Sequence, residues 1–245
     1  KPEHYYHVPI LTRDDLRQNF ADIVSEDARV RDLQLSTTGG STGEPVKVYL
    51  PTKVVRAAMG WRMLSWWGLP PFVTMASIYR PLTLSRLQKI ALGFVQWPSK
   101  QFYLDATSFS RTDIEKFLLS FNKLKPQLLH GYVGAVDQVA AYILDKKISV
   151  ASPKAVWVTS APLSKVQEHR IEQAFGAPVY DQYGCCEIYW LAAQCPQRKA
   201  LHMFADVRRI EILDNDNTPM PEGQFGKIIV TDLENYYFPL IRYQN

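Results

Sequence analysis

Residues 127–160 read QLLHGYVGAVDQVAAYILDKKISVASPKAVWVTS. Apolar runs stand at both ends of this stretch and predict two buried strands, Gln127–Tyr132 and Ala155–Ser160. Between them, apolar residues recur at helical spacing and predict a helix over Gly134–Lys146, with one face formed by Val136, Val139, Ala140 and Ile143. A strand, a helix and a second strand in this order form the unit from which parallel sheets are built. The stretch therefore predicts an α/β fold with a largely parallel sheet.

The alternation continues toward the carboxyl end. A helix is predicted over Ser164–Phe175, closed by Gly176, and a strand over Val179–Tyr183. Further on, residues 208–213 and 227–232 flank a turn-forming DNDN run and predict an antiparallel hairpin. This order of elements predicts an α/β part over residues 1–203, with helices flanking the sheet, and the start of a β-rich subdomain over residues 204–245.

The alternation also extends toward the amino end. A helix is predicted over Thr112–Lys125, where Thr112 and Glu115 have the spacing of a capping box. In the lead-in segment, Thr12 is expected to cap a short helix. The other elements predicted here are a loop over residues 36–45, a strand over 46–50, a helix over 52–67 and a strand over 73–79.

Composition limits the class of protein. Apolar residues make up 47% of the 245 residues and charged residues 21%, and no run approaches the ~20 apolar residues of a membrane helix. The formal charge of +4 is spread along the chain, without the basic stripe that nucleic-acid binding needs. Three cysteines, two of them adjacent, favour a reducing, cytoplasmic compartment. Neither nucleic acid nor a membrane is therefore an expected partner.

Small and polar residues concentrate in three loops, and ligands of open α/β sheets lie at such loops. The first loop, residues 37–47, combines three glycines and several hydroxyls with Lys47, which suits a polyphosphate. It lacks the GxxxxGK[ST] spacing of the Walker loop. A solvated turn explains the same composition, so the residues alone leave both interpretations open.

The other two loops follow predicted strands. Residues 159–163 precede a helix, and helix capping also explains their composition. In residues 181–187, the ring of Tyr183, the small Gly184 and the carboxylate of Glu187 suit a purine, a phosphate and a divalent metal. Neither loop identifies a function by itself.

Taken in order, these segments resemble motifs of the acyl-adenylate-forming superfamily, which includes acyl-CoA synthetases, adenylation domains and luciferases. The resemblance involves its phosphate loop (STTGGSTGEPVK, 36–47), its Tyr-Gly-x-Thr-Glu motif (YGCCE, 183–187) and the start of its Tyr-x-x-Gly-Asp strand (PLIRY, 239–243). Three further segments are similar to the phenylacetate-CoA ligase and CapK group: LHGY at 129–132, VTSAPLS at 158–164 and TDLEN at 231–235. The similarity extends over nearly the whole chain. It implies a ligase that activates a carboxylic acid with ATP and Mg²⁺ and transfers it to the thiol of coenzyme A or of a carrier protein.

The resemblance implies a role for each matching residue. Glu187 would hold Mg²⁺, and Glu187 and Lys47 would be the catalytic residues. The nucleotide phosphates would contact Thr37, Thr38, Gly39, Gly40, Ser41, Thr42, Gly43 and Cys186. The adenine would lie among Ser160, Ala161, Pro162, Asp181, Gln182 and Tyr183. The acyl substrate would contact Tyr132, Val133, Gly184 and Cys185.

Two features depart from the family's pattern. Cys186 stands where the motif usually has threonine, and a thiol donates a weaker hydrogen bond than a hydroxyl. The sequence also stops at Asn245, before the expected Gly-Asp pair and the small C-terminal domain that carries the catalytic lysine. The resemblance therefore describes the chain as part of the large N-terminal domain, which is expected to be inactive alone.

Other interpretations stay open. Two features favour, as the main alternative, a catalytically degenerate nucleotide-binding module of a polysaccharide or secondary-metabolite biosynthesis complex. One is Cys186, and the other is a phosphate loop in which Glu44 adds a negative charge and Lys47 stands one residue beyond the commonest placement in the superfamily. A phosphotransferase is disfavoured, because neither kinase nor Walker spacing is present. Cys195 and His202, taken with Cys185 or Cys186, lack the usual spacing of a zinc site, so zinc is not expected. The sequence identifies neither the acid nor the oligomeric state, for which a homodimer is one option.

Overall fold

The computed structural model describes residues 2–38, 45–52, 55–80, 87 and 98–245. The chain divides into two compact units. The first comprises residues 1–59, 184–192 and 203–245, and the second comprises residues 60–183 and 193–202. Each unit therefore combines segments that are distant in sequence.

The described residues form the following elements. The strands are β1 Leu33–Thr37, β2 Lys47–Pro51, β3 Met75–Tyr79, β4 Gln101–Asp105, β5 Leu128–Tyr132, β6 Ala155–Thr159, β7 Val179–Cys185, β8 Tyr189–Gln194, β9 Leu201–Met203, β10 Arg208–Leu213, β11 Lys227–Asp232 and β12 Tyr243–Gln244. The helices are α1 Arg13–Gln18, α2 Phe20–Ile23, α3 Val55–Trp66, α4 Arg111–Leu124, α5 Val133–Lys146 and α6 Lys165–Phe175. In this part of the chain, no helix has the length and apolar character needed to cross a membrane.

The largest sheet within the described ranges has seven strands in the order β4-β3-β5-β6-β7-β8-β9. The first five strands of this order, β4, β3, β5, β6 and β7, pair in parallel with their neighbours. The register places Ile78 beside Gly131 and Gly131 beside Val158. Helices α4, α5 and α6 pack on these strands around one hydrophobic core. Its fully buried members include Phe121, Leu129, Val136, Val139, Val158 and Ile171. The predicted α/β fold with a mostly parallel, helix-flanked sheet is therefore confirmed.

Helix α4 begins one residue earlier than predicted and uses a different cap. The hydroxyl of Ser110 accepts a hydrogen bond from the Asp113 amide, and the Asp113 carboxylate accepts one from the Ser110 amide at 2.9 Å. The predicted capping box of Thr112 and Glu115 is wrong, because both residues lie inside the helix. Glu115 instead accepts a hydrogen bond of 2.7 Å from the Tyr142 hydroxyl. Two overlapping pairs have capping spacing, and the pair at the true helix start forms the box.

The first unit contains two antiparallel sheets. Strands β10 and β11 pair over six residues each, from Arg208 opposite Asp232 to Leu213 opposite Lys227, and β12 pairs with β11. This confirms the predicted hairpin and the β-rich carboxyl region. The predicted cap at Thr12 is also confirmed, since its side chain accepts a hydrogen bond from the Asp15 amide.

Strand β1 lies partly where the sequence predicted a loop. It pairs with β2 in an antiparallel register that places Thr37 opposite Lys47 and Leu33 opposite Pro51. The loop predicted from residue 36 was therefore wrong for Ser36 and Thr37. Serine and threonine are common in turns, but here the backbone hydrogen bonds to β2 hold them in a strand.

Gly131 lies where strand β5 leaves no room for a side chain. A Cβ atom at this position would stand 2.6 Å from the carbonyl oxygen of Ile78 and 2.6 Å from a methyl group of Val136. We expect Gly131→Ala to lower the free energy of unfolding by about 2 kcal/mol through overpacking. Gly134→Ala in helix α5 is the control, because nothing lies within 4 Å of that Cβ position and alanine is the better helix former. Urea unfolding of both variants measures the difference, and equal stabilities would contradict the expected clash.

Candidate functional site

The ends of the predicted phosphate loop are held by the pair of strands β1 and β2. Thr38 follows β1 directly, and its amide donates a hydrogen bond of 3.0 Å to the carbonyl of Val46. The Val46 amide in turn donates to the Thr38 hydroxyl at 2.9 Å. Thr37 and Lys47 are opposite each other and exposed. The remaining predicted phosphate contacts in this loop lie outside the described residues: Gly39, Gly40, Ser41, Thr42 and Gly43.

Glu187, the predicted Mg²⁺ ligand, lies in the first unit and is 1% exposed. Its Oε1 atom accepts a hydrogen bond of 2.9 Å from the hydroxyl of Tyr243, which is fully buried. The Arg13 guanidinium lies 3.8 Å from the same oxygen. A buried carboxylate needs such donors and an opposite charge, because it has lost its hydration. The two partners come from helix α1 and strand β12, so two segments that are distant in sequence meet at Glu187.

Two groups beside Glu187 are kept neutral. Burial raises the pKa of the Cys185 thiol to about 12, and the nearby Glu187 carboxylate acts in the same direction. Burial also raises the pKa of Tyr243 above its usual range, again with a contribution from the Glu187 charge. At neutral pH the thiol and the phenol are therefore protonated and able to donate hydrogen bonds. The Glu187 carboxylate thus faces the neutral Tyr243 hydroxyl in the interior and the cationic Arg13, whose side chain is 55% exposed.

The backbone on either side of Glu187 is anchored by polar contacts. The Ser36 hydroxyl of β1 donates a hydrogen bond of 3.2 Å to the carbonyl of Cys186. On the other side, the Arg208 guanidinium donates to the carbonyl of Ile188 at 2.9 Å. Arg208 also pairs with Asp232 at 2.6 Å, and both side chains are almost fully buried. Strands β1, β10 and β11 thus hold the segment that presents Glu187.

The buried pair of Arg208 and Asp232 is under opposing electrostatic influences. Burial lowers the pKa of Arg208, while the charge of Asp232 raises it. Burial raises the pKa of Asp232, while the charge of Arg208 lowers it. Each charge therefore depends on the other to offset its loss of hydration.

The predicted adenine residues lie in the second unit, at the carboxyl ends of the adjacent strands β6 and β7. The Thr159 hydroxyl donates a hydrogen bond of 3.0 Å to the side-chain oxygen of Gln182 and so joins the two strand ends. Ser160 has a φ of 77°, a left-handed conformation that is uncommon for serine and is often found at functional turns. The turn formed by Ser160, Ala161 and Pro162 is exposed. The structure thus brings the two predicted adenine segments of this unit onto neighbouring strands.

Asp181 and Tyr183 lie in the middle of β7, where its parallel pairing with β6 ends, with Gln182 between them. The backbone amide of Asp181 donates a hydrogen bond of 2.9 Å to the side-chain oxygen of Gln194. Burial raises the pKa of the Asp181 carboxyl. Tyr183 is half-buried. Their alternation along the strand places Asp181 and Tyr183 on the face opposite to Gln182.

The predicted acyl-binding residues are divided between the two units. Tyr132 ends strand β5, and its ring lies 4.1 Å from that of Tyr79. Val133 begins helix α5, is 1% exposed and belongs to the hydrophobic core of the second unit. Gly184 and Cys185 belong to the first unit.

Two residues of the Glu187 environment were missed from the sequence. Tyr243 lies inside the PLIRY segment that resembles a family motif, so the motif carried a signal that was assigned no role. Arg13 carries no comparable signal, because an arginine in the first turn of a helix is ordinary. Only the fold brings it to the carboxylate.

Cys195 and His202 contact each other in the second unit. The Cys195 sulfur lies 3.1 Å from Nε2 of His202, and the Trp66 ring packs edge-on to the histidine with centroids 5.9 Å apart. Among the described residues, no group of three or more His, Cys, Asp or Glu side chains is arranged to hold a metal ion. The sequence-based expectation about zinc stays a prediction.

Glu187 supplies one carboxylate to the predicted magnesium site. Mg²⁺ keeps several waters and commonly takes one or two protein carboxylates together with substrate phosphates. The Ser36 hydroxyl joins the neighbouring Cys186 to the strand that leads into the predicted phosphate loop. A single carboxylate is compatible with an ion that is shared with a nucleotide, and Mg²⁺ binding stays a prediction.

Known proteins provide a comparison for this geometry. A scan against models of known protein families finds no match. Protein CapK of Staphylococcus aureus is 25% identical over 191 residues, which cover 74% of this chain and 40% of CapK. The crystal structure of an open conformation of 2-hydroxyisobutyryl-CoA ligase, in complex with 2-HIB-AMP and CoA, matches with a TM-score of 0.79 at 19% identity over 99% of this chain and 55% of that one. The amide bond synthetase McbA from Marinactinospora thermotolerans matches with a TM-score of 0.61 at 17% identity, over 88% and 45% of the two chains.

These matches concern the fold. The chain spans roughly half the length of the relatives it matches. The two solved structures have the same fold as this chain at low sequence identity. The chain is therefore similar in sequence to CapK and shares the fold of 2-hydroxyisobutyryl-CoA ligase and McbA, which agrees with the resemblance of its motifs.

Proposed function

We propose that this chain is the nucleotide-binding part of an AMP-forming ligase. In the first step, a carboxylate oxygen of the acid attacks the α-phosphorus of ATP, and the bond to pyrophosphate breaks. In the second step, a thiol, for which we favour coenzyme A, attacks the acyl carbonyl and AMP leaves. The observation that carries the proposal is the buried Glu187, anchored through its neighbours to the strand that leads into the phosphate loop.

The chain's own residues supply binding and orientation. Tyr243 donates to Glu187 from its buried side and keeps the carboxylate oriented. The strands β1 and β2 hold the ends of the phosphate loop, where Thr37, Thr38 and Lys47 would contact the phosphates. Mg²⁺ bound to Glu187 would neutralise charge that builds up on the phosphates during attack. Such catalysis depends on positioning and electrostatic stabilisation.

The adenine and part of the acyl substrate are assigned to residues of the second unit. Ser160, Asp181 and Tyr183 would bind adenine, since they stand at the carboxyl ends of neighbouring parallel strands, where ligands of open sheets lie. Tyr132 would line the acyl pocket. The solved ligase in complex with 2-HIB-AMP and CoA supports an acyl-adenylate and CoA as ligands of this fold. A cytoplasmic location and a homodimer stay predictions.

Cys186 favours one alternative function. A thiol in place of the usual threonine weakens hydrogen bonding to the adenylate phosphate. A catalytically degenerate module that binds nucleotide within a polysaccharide or secondary-metabolite biosynthesis complex would tolerate this change.

Pyrophosphate release tests the proposal. The complete gene product is mixed with ATP, Mg²⁺ and a panel of aryl, fatty and hydroxy acids, with and without coenzyme A. Acid-dependent pyrophosphate release, followed by thioester formation when coenzyme A is added, is expected. Nucleotide binding without pyrophosphate release for any acid would favour the degenerate module. Transfer of the γ-phosphate to an acceptor would instead identify a phosphotransferase and refute both.

A further inference from the structure

Arg13 covers the exposed side of Glu187. Its guanidinium lies 3.8 Å from Oε1, and the Arg13 side chain is 55% exposed whereas that of Glu187 is 2% exposed. The hydroxyl of Tyr243 donates to the same oxygen from the interior, at 2.9 Å. Arg13 is thus the cation that faces solvent at this carboxylate.

A buried carboxylate that stays ionised is stabilised by a neighbouring positive charge, which offsets its lost hydration. With Mg²⁺ bound, the metal would supply that charge. The structure shows which group supplies it otherwise, because the Arg13 guanidinium lies 3.8 Å from Oε1 of Glu187. The guanidinium and a metal ion would approach one oxygen from the same side and would repel each other.

We propose that Arg13 is a stand-in cation: it neutralises Glu187 while no metal is bound and has to move aside before Mg²⁺ can bind the carboxylate. This inference rests on the proposed function, which makes Glu187 the metal ligand. Arg13 is a positioning residue, since it acts through Glu187. Its mostly exposed side chain has solvent to move into, whereas the backbone of helix α1 stays anchored by the cap of Thr12 and Asp15.

The proposal predicts that removing the charge of Arg13 increases the affinity of the protein for the metal ion. Removing Arg13 removes the competitor of the metal, so Arg13→Ala should bind Mn²⁺, used as the probe for Mg²⁺, about tenfold more tightly in the presence of ATP. The tenfold figure is an order of magnitude for losing one partly exposed charge contact. Without metal, the same variant should melt a few degrees lower, because the buried Glu187 loses its counter-charge. Mn²⁺ together with ATP should then stabilise the variant more than it stabilises the wild type.

The experiment measures Mn²⁺ affinity by electron paramagnetic resonance at saturating ATP, using the complete gene product. Arg17→Ala is the matched control, because Arg17 lies in the same helix and pairs with Asp14 instead. Arg13→Lys keeps the charge and should bind Mn²⁺ as the wild type does. Calorimetry with ATP in the absence of metal should give equal affinities for wild type and Arg13→Ala.

Three outcomes would overturn the proposal. One is an unchanged or weaker Mn²⁺ affinity in Arg13→Ala, and another is tighter binding in Arg17→Ala as well. The third is a loss of metal-free ATP affinity in Arg13→Ala, which would mean that Arg13 binds phosphate directly. In each of these outcomes the wild type still binds ATP, so the outcome contradicts only the proposal about Arg13 and leaves the proposed function standing. Absence of ATP binding in the wild type would instead count against the proposed function.

Discussion

Replacing Asp232 with alanine should lower the free energy of unfolding by about 3–5 kcal/mol, because the substitution leaves a buried guanidinium without its counter-charge. Arg208 and Asp232 are joined at 2.6 Å, and their side chains are 3% and 4% exposed. Arg208 would keep its hydrogen bonds to the carbonyls of Val207 and Ile188. Carbonyl dipoles offset only part of the cost of burying a full charge. Denaturant unfolding followed by tryptophan fluorescence and by circular dichroism measures the loss.

A double-mutant cycle and a surface pair serve as controls. The variant that combines Arg208→Ala with Asp232→Ala should lose less stability than the sum of the single variants, because no unpaired charge remains. Asp137→Ala should cost about 1 kcal/mol or less, since the pair of Asp137 and Arg170 is partly exposed to solvent. Additive losses at the buried pair would contradict the dependence of one charge on the other.

Glu187→Gln should reduce acid-dependent adenylation by about a hundredfold or more in the complete gene product. The change keeps the shape of the side chain and an oxygen that can accept from Tyr243. It removes the negative charge of the carboxylate that is proposed to bind Mg²⁺. Loss of one well-placed electrostatic contact costs on the order of a hundredfold in rate. Some loss of stability is also expected, because Glu187 is buried and faces Arg13. The measurement is the rate of pyrophosphate exchange over a range of Mg²⁺ concentrations.

Glu211→Gln separates the loss of stability from the loss of chemistry. Glu211 is also almost buried, pairs with Arg242 and accepts a hydrogen bond of 2.6 Å from Tyr5. It has no part in the proposed catalysis, so this variant should lose stability while it keeps its adenylation rate and Mg²⁺ dependence. A similar loss of activity in both variants would show that Glu187 acts by supporting the fold.

Much of the parallel sheet could be predicted because its elements carry local patterns. The apolar runs of β5, β6 and β7 and the helical periodicity of α5 and α6 depend on residues within a few positions of each other. Strands β1, β4, β8 and β9 were missed. In β1 the burial pattern does not alternate, and β9 is a short, exposed strand. Their hydrogen bonds to neighbouring strands, more than their own side chains, make them strands.

The cap of helix α4 shows a second limit of local patterns. Ser110 with Asp113 and Thr112 with Glu115 are both pairs with capping spacing, and only one can lie at the helix start. Ser110 precedes the first helical turn, with Ile114, Phe117, Leu118 and Phe121 buried beyond it. The choice between neighbouring caps thus depends on where the helix packs.

The α/β class, the order of the central elements and the motif residues could be predicted from the sequence, because neighbouring residues encode each of these through spacing and chemical type. The contacts of Arg13 and Tyr243 with Glu187 form only in the folded chain. These three residues come from helix α1, strand β12 and the segment after β7, and no periodic pattern relates positions so far apart. Their contact arises when burial of apolar side chains closes the long loops between them, which local residue preferences do not specify.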